Sequence, residues 1–331
     1  MPCYHPLIAI PTGNLRKNGK QYLRIEKLEK SDDVKKIKES GSYIIPCGHC
    51  IGCRLDYSRS WADRMMLELE DTKKAVFLTL TYNNENLTIL TDNETGVDVP
   101  TLNKRDCQLF MKRLRKEYGE FKLRFFLAGE YGDKTKRPHY HCIIFGLSLG
   151  DIGDIVYFGK NELGDNYYIS KKLERIWNKG FVLAADVSWK TCAYVARYVT
   201  KKVNGLLYDE LYGSSGRVNC FSLMSRKPGI GALYLEKHPD CLDFNSINLS
   251  TSEGGLEIRI PKYYYKQLNR ENSILYDPVK YDSISEQRKK YASDSMMLKL
   301  SQTDLSLVEY LENLEINKYA KIQYLHRKKV E

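Results

Sequence analysis

The 331-residue sequence predicts an α+β domain in which an antiparallel sheet is covered by helices, and three observations support this class. Residues 75–82 and 181–187 are rich in the residues that strands favour, and residues 121–146 indicate two strands joined by a short basic turn. Residues 103–118 and 188–202 carry apolar side chains at helical spacing. Because hairpin strands pair antiparallel, this alternation of strands and helices indicates the α+β class.

The composition is that of a globular protein with a basic surface. The formal charge of +10 favours a polyanionic partner, and the 25 tyrosines suit stacking on unpaired bases, although tyrosine also fills cores. No apolar segment approaches the roughly 20 residues that span a bilayer. The opening residues lack the basic and apolar regions of a signal peptide, so we expect the chain to act in a cytoplasm. There, nine cysteines indicate thiols or metal ligands rather than disulfides.

Changes in composition divide the sequence into four predicted segments. They are an N-terminal segment with a Cys-rich knuckle and a helix over 54–72 (1–72), a core (73–205), a basic and aromatic extension of the core (206–270) and a charged helical tail (271–331). Two stretches, 83–102 and the Gly/Asp-rich residues 147–168, are predicted to be loops.

Three cysteines in the first segment have the spacing of a metal knuckle. The run Pro46–Arg54 reads P-C-G-H-C-I-G-C-R, in which the glycines allow Cys47, Cys50 and Cys53 to turn toward one centre. Zinc prefers four ligands, and Cys3 is the candidate that completes the set, with His49 as its competitor. A site closed by four protein ligands has no open position, so this zinc would be structural. An iron–sulfur cluster or simple reduced thiols are the alternatives.

A second candidate metal site lies on the predicted hairpin. His139 and His141 are two apart in a strand, so their imidazoles project from the same face with Cα atoms roughly 6.5–7 Å apart. Glu130 ends the partner strand and is the best-placed third ligand, and Asp133 is the alternative. Two imidazoles and a carboxylate hold a divalent ion and leave an open face for substrate. An isolated H-x-H pair is more often structural, so the assignment depends on partners elsewhere.

Two tyrosines supply such a partner. Tyr194 and Tyr198 are four apart on the predicted 188–202 helix, offset from its apolar stripe, and Lys201 and Lys202 continue their face. A phenol, with a pKa of about 10, attacks a phosphodiester usefully only where the phosphorus is polarised and its oxygens are neutralised. A metal ion and neighbouring lysines provide both conditions. The alternative is a pair of amphipathic tyrosines at a helix rim.

Three further basic residues are predicted to contact DNA: Arg197 between the tyrosines, and Arg226 and Lys227 in a basic glycine turn. A plain surface loop explains that turn equally well. The run Lys262–Lys266 has the composition of a stacking platform, and a strand end packed on the core is the alternative.

Together these motifs resemble those of the HUH endonucleases. The quoted segments are F-L-T-L-T (77–81), G-E-Y-G (129–132) with R-P-H-Y-H (137–141), and Y-V-A-R-Y-V-T-K-K (194–202). More narrowly, the chain resembles the two-tyrosine rolling-circle replication initiators of microviruses. The opening M-P-C-Y-H-P, the cysteine knuckle and M-S-R-K-P-G-I-G (224–231) are similar to the gokushovirus branch. Each motif alone is weak, but their shared order between residues 1 and about 265 is specific.

The resemblance implies a sheet of about five antiparallel strands with the histidine strand central, and residues 73–205 as the nuclease core. His139, His141 and Glu130 would bind Mg²⁺ or Mn²⁺ at the scissile phosphate. Tyr194 or Tyr198 would attack single-stranded origin DNA, leaving a covalent 5′-phosphotyrosine and a 3′-OH that primes host DNA polymerase. The other tyrosine would act after one round to release a circle. The sequence has no P-loop, so unwinding would fall to a host helicase in the bacterial cytoplasm.

Three other functions fit parts of the sequence. A metal-dependent phosphodiesterase would use the H-x-H pair, but a histidine-triad hydrolase needs a further histidine where the chain has Ile143. A zinc-knuckle nucleic-acid-binding protein without catalysis leaves the paired tyrosines and histidines unexplained. A structural or packaging protein explains only the charge.

Overall fold

The computed structural model of the chain describes residues 3–17, 21–92, 95–132, 135–161, 164–198, 216–251, 254–268 and 278–327. The strands are β1 (Leu7–Leu15), β2 (Gln21–Lys27), β3 (Tyr43–Ile45), β4 (Ala75–Thr81), β5 (Ile89–Thr91), β6 (Asp98–Pro100), β7 (Arg124–Tyr131), β8 (Pro138–Phe145), β9 (Val156–Lys160), β10 (Asn166–Ile169), β11 (Val182–Asp186), β12 (Phe221–Met224), β13 (Ser246–Thr251) and β14 (Gly254–Arg259). The helices are α1 (Val34–Glu39), α2 (Ile51–Thr72), α3 (Lys104–Glu117), α4 (Leu149–Ile152), α5 (Lys171–Trp177), α6 (Trp189–Arg197), α7 (Ala232–Lys237), α8 (Lys262–Leu268), α9 (Pro278–Leu300) and α10 (Leu307–Arg327).

The chain divides into two compact units, residues 1–57 with 272–331 and residues 58–271. In the first unit, strands β2, β1 and β3 form an antiparallel sheet in that order, within residues to which the sequence assigns no structure. The same unit contains helices α9 and α10, and its C-terminal part is therefore helical, as the sequence predicts. The division into four segments stays a prediction.

The second unit is built on one large sheet. Within the described residues it has seven strands in the order β12-β7-β8-β4-β11-β10-β9, and every neighbouring pair is antiparallel. This sheet, with its flanking helices, confirms the predicted α+β class. It has two strands more than the five or so that the resemblance implies. The histidine strand β8 lies between β7 and β4 and is therefore an inner strand, with partners on both sides.

The sequence misses one edge of this sheet. Residues 147–168, predicted as an exposed loop, contain helix α4 and most of the hairpin β9–β10, so the loop prediction is wrong. An edge strand pairs on one side only and therefore tolerates the glycine and polar residues that indicate a loop when they are read alone. The predicted loop 83–102 likewise contains the short hairpin β5–β6.

One face of the sheet holds the main core. Helix α3 begins at its cap Asn103, whose side chain accepts from the backbone N–H of Arg105 at 2.9 Å, and it buries the apolar stripe that the sequence predicts. Phe110 of this stripe and Trp177 of α5 are fully buried in a cluster with Leu78 of β4. Side chains alternate along a strand, so Phe77, Thr79 and Thr81 point to the opposite face. We call that opposite face, which also bears the two histidines, the histidine face.

A buried ion pair fixes the basic glycine turn at residues 225–231. Arg124 pairs with Glu68 of α2, and its guanidinium also donates to the carbonyls of Pro228 at 3.0 Å and Gly229 at 2.8 Å. The backbone N–H of Gly231 donates to Glu68 at 2.6 Å. The second half of the turn is therefore part of the core rather than a surface loop, whereas Arg226 and Lys227 are exposed.

The run Lys262–Lys266 lies in helix α8, so the predicted strand end is wrong. Tyr264 and Tyr265 are buried, and the Tyr264 hydroxyl donates to the carbonyl of Gly231 at 2.7 Å. Buried tyrosines are not available to bases, so two of the three rings of the predicted stacking platform are excluded. The third, Tyr263, is half-buried with the Arg64 guanidinium 4.0 Å from its centre. Among the helices described, none combines the length and apolar character needed to cross a membrane.

Candidate active site

The β7–β8 hairpin brings His139, His141 and Glu130 together. Glu130 lies directly opposite His139 in the antiparallel register, and His141 follows two residues later on the same face. One carboxylate oxygen, Oε1 of Glu130, lies 2.9 Å from Nε2 of His139 and 3.1 Å from Nε2 of His141. Asp133, the alternative third ligand, lies outside the described residues.

The contacts of the two Nδ1 atoms, which point away from Glu130, indicate which ring nitrogens carry the protons. Nδ1 of His139 lies 3.2 Å from the carbonyl oxygen of Arg137, which can only accept, so this nitrogen carries the proton. Nδ1 of His141 lies 3.2 Å from the hydroxyl of Thr79, which can donate or accept and is therefore compatible with the same tautomer. With both imidazoles in this tautomer, two Nε2 lone pairs and a carboxylate oxygen converge on one point. Such an arrangement is repulsive unless a cation lies among the three atoms.

These residues fit a divalent metal ion. The outer hydrogen bonds of both imidazoles are those that orient metal-binding histidines in proteins. Glu130 and His141 are buried and His139 is half-buried, so the ligands are held in a protein environment but remain reachable from one side. Three protein ligands leave positions open for substrate oxygens, unlike a closed four-ligand site. Two nitrogen donors and one oxygen donor do not by themselves select one ion.

Helix α6 places the two tyrosines against this triad. Ser188 caps the helix by accepting from the N–H of Thr191, Cys192 and Val195 are buried, and the helix packs on β8 and β7. The Tyr194 hydroxyl lies 3.4 Å from Nε2 of His141. The Tyr198 ring stacks on the His141 ring, with centroids 4.9 Å apart and planes 10° apart.

The two phenols lie in different environments. Tyr198 is only 6% exposed, whereas Tyr194 is half-buried. Burial, with added repulsion from Tyr194 and Glu130, raises the pKa of Tyr198 well above its usual value. Their rings meet edge to face at 5.1 Å. The phenols are therefore neighbours but are not equivalent.

Of the other predicted site residues, the structure describes Arg197 but not the two lysines. Arg197 is exposed, with its guanidinium 5.5 Å from the centre of the Tyr194 ring. Lys201 and Lys202 lie outside the described residues. Thr79 and Phe77 were not predicted as site residues, yet Thr79 contacts His141 and the Phe77 ring is nearly parallel to the His141 ring at 5.8 Å. The alternating hydroxyls of F-L-T-L-T were the available signal.

The four cysteines of the knuckle also lie together. Ligand atoms of Cys3, Cys47, Cys50 and Cys53 all lie within 4.8 Å of one another, and this group does not include the exposed His49. Sγ of Cys3 lies 3.6 Å from Sγ of Cys47 and 3.9 Å from Sγ of Cys50. A tetrahedral zinc with bonds of about 2.3 Å requires sulfur atoms roughly 3.8 Å apart. The cluster therefore has the dimensions of a zinc site.

Backbone donors favour a thiolate in this cluster. Burial alone raises the pKa of Cys50, but N–H donors from Cys53 at 3.4 Å and Tyr4 at 3.3 Å contribute to lowering that pKa to about 7. Cys47 accepts from the N–H groups of His49 and Cys50. A thiolate is the form of cysteine that binds metal, so these donors prepare Cys50 for an ion. Burial raises the pKa of Cys3 and of Cys53.

Comparison with known proteins matches this chain to phage replication proteins. A family model described as "Replication-associated protein ORF2/G2P" matches residues 75–203, which include the triad and both tyrosines. Replication-associated protein ORF2 of Spiroplasma virus 4 is 30% identical over 332 residues, which is 97% of each chain. Replication-associated protein VP4 of Bdellovibrio phage phiMH2K is 34% identical over 72% of this chain and 73% of its own.

Replication-associated protein ORF4 of Chlamydia phage 1 is 34% identical over 53% of this chain and 43% of its own. No solved structure matches the chain. The relatives confirm the resemblance to microvirus replication proteins that the motifs indicate. With a relative aligned along nearly its whole length and the family model matched over the site, the chain belongs to the replication-associated protein ORF2/G2P family.

Proposed function

We propose that this protein initiates phage DNA replication by nicking and rejoining single-stranded origin DNA through a covalent tyrosine intermediate. The observation that carries the proposal is that two tyrosine rings, of Tyr194 in α6 and of Tyr198 at its C-terminal cap, lie against His141 of an open His–His–Glu triad. The tyrosine hydroxyls can serve as nucleophiles, and the triad can serve as the centre that activates a phosphate. The names of the relatives, which are replication-associated proteins, support a role in phage replication.

The proposed nicking step is a transesterification. The tyrosine hydroxyl loses its proton and its oxygen forms a bond to phosphorus, while the bond from phosphorus to the 3′-oxygen breaks. The 3′-oxygen keeps the electron pair and takes up a proton. The products are a 5′-phosphotyrosine and a free 3′-OH, and the number of phosphodiester bonds is unchanged. The rejoining step therefore needs no nucleotide cofactor.

The chain's own residues position the reactants and balance the charge. His139, His141 and Glu130 would hold Mg²⁺ or Mn²⁺, which when bound supplies Lewis-acid polarisation of the phosphate. Arg197, whose guanidinium lies beside the Tyr194 ring, is proposed to attract phosphate, and Lys201 and Lys202 are proposed to stabilise the phenolate. Arg226 and Lys227 are exposed on a turn whose other end is fixed in the core, as a contact to the DNA backbone requires.

The remaining partners follow from the products. A free 3′-OH is the primer that host DNA polymerase extends, and the second tyrosine would attack the regenerated origin and release a circular strand. Because the sequence has no P-loop, we propose that a host helicase unwinds the duplex in the bacterial cytoplasm.

A covalent adduct tests the proposal. Purified protein with Mg²⁺ or Mn²⁺ and single-stranded origin DNA should give a protein–DNA band that survives SDS. The variant in which both Tyr194 and Tyr198 are replaced by Phe keeps both rings but lacks the nucleophilic oxygens, so it should give no such band. An adduct of unchanged yield in the double variant would overturn the proposal. A zinc-knuckle binding protein without catalysis would give only salt-sensitive, non-covalent complexes.

We also propose that Cys3, Cys47, Cys50 and Cys53 bind a structural zinc. Sulfur spacings near the tetrahedral value and the N–H donors to Cys50 support this ion over simple reduced thiols. Four protein ligands leave no position for substrate, so the ion would stabilise the first unit rather than take part in the nicking step.

Replacing Cys50 by Ser should remove zinc from the purified protein. A serine hydroxyl is a far weaker zinc ligand than the thiolate that the backbone N–H groups stabilise at this position. Zinc content by elemental analysis should fall from equimolar to near background. The matched control is Cys241→Ser, which changes a buried cysteine outside the cluster and should leave the zinc content unchanged. Undiminished zinc in the Cys50 variant would refute the site, and iron in the wild type would indicate an iron–sulfur cluster.

A further inference from the structure

An apolar strip continues the histidine face away from the triad. Leu183 pairs with Thr79, which pairs with His141, so these three side chains share one face of the sheet. The same row extends through Ile169 of β10 to Val156 of β9. We call Phe181, Leu183, Ile169 and Val156 the open strip.

Phe181 lies in the adjacent row of the histidine face and, like Leu183, is two strands away from a histidine. Its backbone exchanges two hydrogen bonds with Thr81, of 3.0 and 3.1 Å, and Thr81 pairs with His139. Strands lie 4.7–4.9 Å apart, so the backbone of Phe181 is roughly 10 Å from that of His139. The two residues therefore border the same stretch of open sheet.

The strip is accessible to solvent. Phe181 is 62% exposed and Val156 is 58% exposed, while Leu183 and Ile169 are half-buried. Helix α6 packs on β7 and β8 and therefore covers the other part of this face. An exposed phenylalanine adds nothing to the stability of the core, and here it lies beside a candidate phosphate-binding centre.

The position of Phe181 is fixed by its neighbour Gly180. A Cβ atom on Gly180 would lie 2.4 Å from the carbonyl oxygen of Thr81 and from the backbone nitrogen of Asn83, so only glycine allows this close approach. The N–H of Asn83 also donates to the carbonyl of Lys179 at 2.9 Å. Phe181 is therefore an exposed aromatic ring on a rigid backbone, and such a ring binds without a large loss of conformational entropy.

From this geometry we infer that Phe181 and the open strip stack the bases of single-stranded DNA that flank the phosphate at the triad. The inference rests on the proposed function, because it takes single-stranded DNA as the substrate. Unpaired bases offer π-faces to an aromatic ring, and duplex bases do not. The chain as a whole carries a formal charge of +10, which favours association with a polyanion such as single-stranded DNA. The bases beside a phosphate bound at the triad have only a short distance to reach Phe181.

The test measures affinity for single-stranded DNA in the full chain with Mg²⁺ present, so that the triad can hold the phosphate. Every protein compared, the wild-type reference included, carries Tyr194→Phe and Tyr198→Phe, so that no strand is cut. Phe181→Leu keeps an apolar side chain but removes the π-face, and its dissociation constant should rise about tenfold, within the range measured for stacking on one base. Phe181→Trp should restore the wild-type value. A 2-aminopurine base beside the scissile phosphate should be quenched by wild type and not by Phe181→Leu.

Tyr157→Leu is the matched control. Tyr157 is 56% exposed near the same edge of the sheet, but its side chain lies on the opposite face. Its pairing partner Tyr168 pairs in turn with Ala184, and Ala184 pairs with Leu78, which points into the main core. This variant should bind single-stranded DNA as wild type does. Affinity for duplex, and the slope of affinity against salt, should be equal in all variants because stacking releases no counterions.

Two outcomes overturn the inference: wild-type affinity in Phe181→Leu, or equal weakening in Phe181→Leu and Tyr157→Leu. The experiment distinguishes failure of the stacking site from failure of the proposed nicking function. If the wild type forms an adduct and Phe181→Leu binds DNA normally, the stacking site is refuted and the nicking activity is supported. Tenfold weaker binding by that variant, without any adduct in the wild type, establishes a DNA-stacking surface and refutes the nicking activity.

Discussion

Replacing Glu130 by Gln should abolish the rise in melting temperature that a divalent metal ion causes in the wild type. The melting temperature of the wild type should rise with Mn²⁺, because an ion that binds only the folded state at a hundred times its dissociation constant adds about 2.7 kcal/mol to the free energy of unfolding. Glu130 is the only charged member of the triad, and its Oε1 lies within 3.1 Å of both Nε2 atoms. An amide at this position removes the charge and crowds the ion with its N–H₂ group. Thermal unfolding with and without Mn²⁺ measures the effect.

The stability of the metal-free variant separates a metal ligand from a structural carboxylate. In the tautomers assigned above, the Glu130 carboxylate faces two lone pairs, and a Gln amide would donate to one of them. Metal-free Glu130→Gln should therefore be at least as stable as the metal-free wild type. If Glu130 instead formed a structural ion pair with protonated histidines, the variant would be less stable and Mn²⁺ would still raise its melting temperature. Glu117→Gln, at an exposed carboxylate of α3, is the control and should keep the full metal response.

Much of the candidate site follows from local sequence. Spacing of two in a strand places His139 and His141 on one face, and a hairpin places Glu130 opposite, which is where the structure has it. Spacing of four on a helix likewise places Tyr194 and Tyr198 together. These relations depend on the periods of strands and helices and on one short turn, so they can be derived without long-range information.

Other parts of the site depend on contacts between distant segments. Whether each imidazole presents Nε2 to the centre is set by its own outer partner, and for His141 that partner is Thr79, which is 62 residues away in sequence. The different burial of the two tyrosines depends on how α6 packs on β8. Tertiary contacts of this kind have no periodic signature in the sequence.

The missed elements of the fold have the same origin. The strand β12 lies in the predicted basic and aromatic extension, and its four residues become a strand by pairing with β7, about ninety residues earlier in the chain. The hairpin β9–β10 is an edge element whose glycine and polar residues favour a loop until β11 provides a partner. In both cases pairing with a distant strand makes the segment a strand, and the intrinsic strand propensity of its residues does not predict it.

The two tyrosines should differ in single variants, with Tyr194 making the first cut. Tyr194 is half-buried and its hydroxyl lies 3.4 Å from Nε2 of His141, so it reaches a phosphate at the triad without a change of fold. Tyr198 is buried against the His141 ring and must be uncovered before it can attack. Tyr194→Phe should therefore lower the rate of adduct formation on single-stranded origin DNA by roughly 10³-fold or more, as expected for loss of a nucleophile. Adduct yield against time on SDS gels measures this rate.

Tyr198→Phe should behave differently in the same assay. It keeps the ring that stacks on His141, so the first adduct should form at close to the wild-type rate. Rejoining should fail, because no second hydroxyl is present to attack the regenerated origin. A substrate carrying two origin copies should therefore release a circle with wild type and accumulate the covalent intermediate with Tyr198→Phe. Equal loss of the first adduct in both single variants would show that the tyrosines are interchangeable. Loss only in Tyr198→Phe would show that the buried phenol is the first nucleophile and that α6 must move before the cut.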